Sequence, residues 1–203
     1  MTHHKPFSEA CVRNRDPILA VIRTVFTTPA TILEIGSGTG QHAVYFARAL
    51  PHLTWQTSDL PGQHAAIEAW LNEAQLPNTR RPLALDVSQD PWPVPAVDGV
   101  FAANVSHIMS WQEVEKLFRG VGRILNDGSA FCLYGPFNEN GRHTCESNRR
   151  FDEALRNRNP LMGLRDIAAL ITVAAGHGLR LEARHAMPAN NLTLVWRKVS
   201  GND

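Results

Sequence analysis

Ten residues, Thr31–Gly40 (TILEIGSGTG), constrain this chain more than any other stretch. Ile32, Leu33 and Ile35 form a short apolar run, the pattern of a strand buried on both faces. Gly36, Gly38 and Gly40 then break the run, and Ala43, Ala47 and Leu50 recur behind them at helical spacing. Strand, glycine turn and helix in succession predict the phosphate-or-adenosine crevice of an α/β sheet.

The spacing of the glycines separates two cofactors. A dinucleotide-binding turn reads Gly-x-Gly-x-x-Gly/Ala, its last small residue letting the helix pack close to the strand. Here Gln41 holds that sixth position, and the glycines run Gly-x-Gly-x-Gly, with Glu34 two residues ahead of the first. This form resembles motif I of the class I S-adenosylmethionine-dependent methyltransferases. The resemblance implies that Glu34, Gly36, Ser37, Gly38 and Gly40 lie along the methionine end of the cofactor. The alternative is an ordinary strand–helix turn with Glu34 as a solvated or capping carboxylate.

The remaining elements follow in order. Asp16-Pro17 reads as an N-cap with proline at the first helical position, opening a helix striped by Ile18, Leu19, Ile22, Val25 and Phe26. A second strand fits Leu53–Ser58, ending at Asp59 and Leu60. A carboxylate there can accept hydrogen bonds from both ribose hydroxyls of an adenosine; a turn aspartate before Leu60-Pro61-Gly62 is the plainer reading. A third strand fits Arg81–Val87. In the superfamily resembled, the acid at its end, Asp86, accepts the adenine amine while Val87 packs on the ring; an Asx-turn explains Asp86 equally well. The fourth strand is Gly99–Asn104, and Asn104, Ser106 and His107 beyond it face the crevice in this architecture. His107 is the candidate general base, since imidazole titrates near neutrality, with a satisfied structural histidine as the competing reading.

Ser110 and Glu113 form a capping box before a helix carrying Val114, Leu117, Phe118, Val121 and Leu125. Asn126-Asp127-Gly128 stops it, and Ala130–Tyr134 is the fifth strand. Gly135–Gly141 reads as a long polar loop over the crevice, and Ser147 as the cap of a short helix. Ile167, Leu170, Ile171 and Ala174 mark the last helix. Leu179–His185 and Leu192–Val199 alternate as two closing strands. The expected fold class is therefore α/β: a Rossmann-like, class I methyltransferase three-layer sandwich. Its sheet is seven-stranded and mostly parallel, with an antiparallel last strand. Residues 1–203 are expected to form one domain, with 1–28 as an N-terminal helical lid.

Seven further pieces carry a closer resemblance: RNRDPI at 13–18, SGTGQH at 37–42, SHIMSW at 106–111, YGPF at 134–137, SNRRFD at 147–152, GLRD at 163–166 and MPANN at 187–191. Together they resemble a small methyltransferase-like family of bacteria and animals, which implies the class I fold and S-adenosylmethionine binding but no particular substrate. On that resemblance Arg13 and Asn14, placed ahead of the first helix, are expected to fold over the cofactor's carboxylate. Phe137, Asn148, Asp152, Arg165, Asn190 and Asn191 supply an aromatic wall, amides and charges suited to a small polar or anionic substrate. Local capping and turn chemistry would account for several of them.

Composition narrows the function classes. The chain is 43% hydrophobic and 19% charged with a net charge of +1, ample for a core and without the charge that pulls a protein to nucleic acid or anionic membrane. Cys11, Cys132 and Cys145 lack metal-binding spacing and suggest a reducing compartment. The start lacks the apolar core of a signal peptide and no run reaches membrane-spanning length, so a cytoplasmic location is the default expectation. No Asn/Asp-Pro-Pro-Tyr/Phe follows strand four and no Pro-Cys appears, which disfavours the DNA methyltransferases. A small-molecule acceptor, with no metal, leads; a protein methyltransferase or a non-catalytic S-adenosylmethionine-binding protein acting through a partner follows. Displacement at a sulfonium methyl asks mainly for alignment, so a base is needed only where the acceptor must lose a proton; His107 or Tyr134 is expected to supply it.

Overall fold

A computed structural model describes residues 5–200; the two ends of the expected domain and lid, 1–4 and 201–203, lie outside the described residues. In chain order the elements are α1 (Glu9–Val25), β1 (Ala30–Ile35), α2 (Gln41–Ala49), β2 (Leu53–Asp59), α3 (His64–Ala74), β3 (Thr79–Ala84) and β4 (Val97–Ala103). There follow α4 (Trp111–Ile124), β5 (Leu125–Gly135), β6 (Phe137–Glu139), β7 (Arg142–His143), α5 (Glu146–Arg158), β8 (Arg165–Asp166), α6 (Ile167–Ala175), β9 (Leu179–Met187) and β10 (Asn191–Lys198).

The main sheet runs β3-β2-β1-β4-β5-β10-β9, with β10 antiparallel to both neighbours. This is the expected seven-stranded, mostly parallel sheet. Alternation along the strands feeds two cores. Leu33, Val100, Phe131 and Leu194 face α4 and α6, while Ile32, Phe101, Cys132 and Val195 face α1, α2 and α3. A helix layer on each face makes the sandwich. β1 and β4 run parallel, but successive strands are added outward on opposite sides of this pair, which opens a crevice at their carboxyl ends.

Several expectations need correction. The first helix begins at Glu9, capped by Ser8, whose hydroxyl accepts from the Cys11 backbone N–H. Pro17 therefore lies inside α1, and Arg13 and Asn14 belong to the helix instead of preceding it. A distant contact fixes that earlier start: Gln41, the first residue of α2, accepts the Ser8 N–H at 2.5 Å. The polar loop after β5 is not a free crossing, because Phe137–Glu139 pairs with β7 and β8 in a second, three-stranded sheet. Ser147 is not a cap either; α5 starts at Glu146 behind Cys145. The third strand spans Thr79–Ala84 instead of Arg81–Val87, so Asp86 and Val87 lie just beyond its end; the Ser110–Glu113 capping box is present with both its bonds. Asn126–Gly128 does not stop α4, which ends at Ile124; Leu125 already belongs to β5, and Asn126–Gly128 is an exposed bulge inside that strand, between its pairings at Leu125 and Ala130.

Candidate active site

Two spaces open at the carboxyl ends of the strands. The first, about 540 Å³, lies over β1, β2 and β4 and is walled by Gly36, Gly38 and Thr39 of the glycine turn, though not by Gly40, and by Asp59, Leu60, Asp86, Val87 and Asn104. The second, about 440 Å³, lies between α1, the end of β5 and the β9–β10 turn. Asn104 is the residue common to both linings.

The glycine turn is shaped by steric need. Gly36 sits at φ +72°, where a Cβ would meet Val105 Cγ1 at 2.6 Å, and Gly40 at φ +85°, 3.0 Å from the Ile67 backbone. Only glycine fits such positions without strain. Glu34 does not line the crevice. It is buried beneath the turn, where its carboxyl accepts from Ser37 Oγ and Trp55 Nε1, each at 3.0 Å. Burial pushes its pKa up to about 7, against those two hydrogen bonds. Ser37 Oγ in turn accepts the Ser58 N–H, so Glu34 and Ser37 tie the turn to β2. Their place is structural support one layer below the ligand space.

Asp59 stands at the end of β2, as expected, with both carboxylate oxygens aimed at backbone donors: Oδ2 accepts from Gly38 N at 2.8 Å and Oδ1 from Leu60 N at 2.7 Å. Each oxygen keeps a further lone-pair direction for a hydroxyl. Asp86 combines both of its readings. It makes an Asx-turn to the Ser88 N–H and also lines the crevice beside Val87; the Ser88 side chain, then its N–H, hold the carboxyl below the usual range. Leu60 and Ile108 flank this space while half exposed, apolar surface without a protein cover. Asn104 takes a left-handed conformation at φ 60°, its N–H bonded to the Tyr134 carbonyl.

The candidate bases differ in place. His107 lines neither space. It is buried behind Gly135, stacked edge-on to Phe151, with Nδ1 unpartnered; burial, then the Arg165 charge, lowers its pKa to about 4. Tyr134 lines the second space. Burial raises its phenol pKa, while a hydrogen bond from the Asn14 amide opposes the rise.

The expected substrate residues also divide. Asn191 lines the second space, whereas Phe137, Asn148, Asp152, Arg165 and Asn190 line neither. Phe137 is core. The Arg165 guanidinium donates to the carbonyls of Ser106, Met109 and Leu161. Asp152 accepts from His143, Arg156 and the Leu164 N–H. Asn148 donates to the Asn190 carbonyl, and Asn190 to Ser147, so both anchor the turn that walls the second space.

Two residues escaped sequence reasoning. Gln41 Oε1 accepts from the Ser8 N–H and Thr39 Oγ1, joining α1 to the glycine turn. His42, buried and with its pKa lowered to about 4 by burial and then by Arg15, bonds Asn14 Oδ1 through Nε2 at 2.7 Å. Their place within SGTGQH, next to the glycines, was the available signal. Among the described residues no three His, Cys, Asp or Glu side chains gather as a metal cage, and no helix is long and apolar enough to cross a membrane.

The chain belongs to the family described as "Protein of unknown function (DUF938)", whose model matches residues 5–198. Its fold recurs in solved methyltransferases. An O-methyltransferase family protein from Burkholderia thailandensis aligns with a TM-score of 0.81 at 18% identity, over 96% of this chain and 59% of that one. An O-methyltransferase family 2 protein from Planctomyces limnophilus, in complex with apigenin, gives 0.81 at 14%, over 92% and 56%. CalO1, a methyltransferase in calicheamicin biosynthesis in its SAH-bound form, gives 0.71 at 14%, over 91% and 55%. The chain thus spans 55–59% of the length of these three, and at such identities the likeness establishes the Rossmann-like methyltransferase fold.

Proposed function

We propose that the protein is an S-adenosylmethionine-dependent methyltransferase acting on a small polar molecule. The observation that carries this is the crevice at the β1/β4 switch point. It combines a glycine turn, a ribose-type carboxylate at the β2 end, and an acid beside an apolar wall at the β3 end. The donor set fits an adenosine: Asp59 has lone pairs left for two ribose hydroxyls, Asp86 can accept an exocyclic amine, and Val87 and Leu60 offer apolar surface to a ring. Gly38 adds a left-handed turn with nothing within 4 Å of a Cβ, leaving its backbone open to close approach. A size of about 540 Å³ falls within the range of small-ligand sites. The methyltransferases that share the fold support the same reaction class.

Bound there, S-adenosylmethionine supplies a methyl group already activated on sulfur. The chain's task is then alignment, worth up to about 7–11 kcal/mol when the reacting atoms are held ~3–3.5 Å apart. Asn104, between the two spaces, is the residue placed to set that alignment, and Tyr134 is the group placed to hold a proton at the acceptor. His107, behind Gly135, supports the wall. Calorimetric titration with S-adenosylmethionine, S-adenosylhomocysteine and NAD in parallel tests the reading. Micromolar binding of the first two, equivalent to roughly −8 kcal/mol, with no heat from NAD, is the expected result. Silence from both in a folded sample would remove it.

A further inference from the structure

The two spaces carry opposite charge. Asp59, Asp86 and Glu113 line the first, which has no cation in its lining; Arg13 lines the second, which has no acid. The change of sign falls at Asn104. Arg13 is exposed, and among the described residues no carboxylate pairs with it. An arginine left without a partner in a concave site is set up for an anionic ligand, because its planar fork matches a carboxylate.

The Tyr134 hydroxyl points the same way through its neighbours. His42 Nε2 lies 2.7 Å from Asn14 Oδ1, a contact that holds the Asn14 amide in place on the wall of the second space. Asn14 and Tyr134 line the second space together. The Tyr134 phenol, which lines that space, can donate its proton to a ligand there. A guanidinium and a phenol hydroxyl on one wall would leave an ammonium group unrecognised and can donate to both oxygens of a carboxylate.

We propose that the second space is the acceptor chamber and that it selects a small molecule bearing a carboxylate, gripped by Arg13 and Tyr134 on the far side of Asn104 from the cofactor. His42 serves as a positioning residue, acting through Asn14. The selection of acceptors rests on the methyltransferase reading, whereas the charge preference of the chamber does not.

The test uses isosteric pairs, benzoate against benzamide and phenylacetate against phenylacetamide, followed by ligand-observed NMR on protein saturated with S-adenosylhomocysteine. The acids should bind about tenfold or more tightly than the amides, and Arg13→Gln should erase that preference. Equal binding of acid and amide, or binding of neither pair, overturns the proposal. A second arm compares S-adenosylhomocysteine with 5′-methylthioadenosine, which lacks the amino-acid end. Arg13→Gln should leave both affinities unchanged. Selective loss of S-adenosylhomocysteine would assign the guanidinium to the cofactor's own carboxylate and overturn the acceptor assignment. If the wild-type protein holds neither nucleoside, the methyltransferase reading fails, and the acid-over-amide preference of the unliganded protein still decides the chamber. His42→Gln reports on positioning: the acids' advantage should shrink while Arg13-dependent binding persists, and an unchanged advantage would remove His42 from the account.

Discussion

The rim of the β1/β4 crevice and the buttress built from β6–β8 and α5 hold similar side chains put to opposite uses. Around the crevice, Asp59 and Asp86 bind backbone N–H groups of their own turns and still face open space. In the buttress, Asp152 is buried and its carboxylate is consumed by His143, Arg156 and Leu164, while Arg165 is consumed by three carbonyls. An aspartate's function therefore depends on its unused lone pairs and not on its residue type. At the rim those lone pairs are left over; in the buttress they are the structure.

The sharpest way to break this contrast is to delete one carboxylate from each region. Asp152→Ala leaves the buried Leu164 N–H without its acceptor and should lower stability by about 3 kcal/mol in denaturant unfolding, with S-adenosylhomocysteine affinity intact in the folded fraction. An affinity that falls in step would place Asp152 with the ligand. Asp59→Ala should do the reverse, costing roughly tenfold to a hundredfold in affinity by calorimetry with little loss of stability; unchanged binding would remove the ribose assignment.

Glu34 lies between the two cases, close to the crevice yet buried. Its folded pKa of about 7 exceeds the ordinary 4.5, so the folded state holds this proton more tightly than the unfolded chain. Its contribution is fully present below 4.5 and is lost as pH rises to about 7. Glu34→Gln, which cannot titrate, should flatten the stability profile across that window. Retention of the wild-type slope would show that another group sets it. The smallest effect belongs to the turn walling the second space. Ala189 is left-handed at φ 56°, and Ala189→Gly should gain about 1 kcal/mol in thermal or chemical unfolding. A loss instead would mean that the methyl group's packing outweighs the backbone strain.

The succession of strands and helices along the chain, the glycine turn and the carboxylates that follow β2 and β3 were legible in the sequence because each rests on local chemistry. Periodicity, left-handed turns and capping are decided within a few residues of one another. What was not legible depended on contacts remote in the chain. Asp16-Pro17 has every local mark of a helix start, yet Gln41, 33 residues from Ser8, fixes the start earlier. Asn148, Asp152 and Arg165 had the composition of a binding site, and only the fold shows their hydrogen bonds already spent. Sequence reveals which groups can bind; the count of free donors and acceptors appears only after folding.

The Gln41 side chain gives α1 and the glycine turn a shared fate. It accepts from Ser8 at the mouth of α1 and from Thr39 within the turn. Local opening of either element must break a bond belonging to the other, so the two should fluctuate as one cooperative unit. In hydrogen exchange, the amides of residues 9–14 and 38–44 would then share one opening free energy, and a nucleoside bound at the glycines would slow exchange in a helix that it never touches.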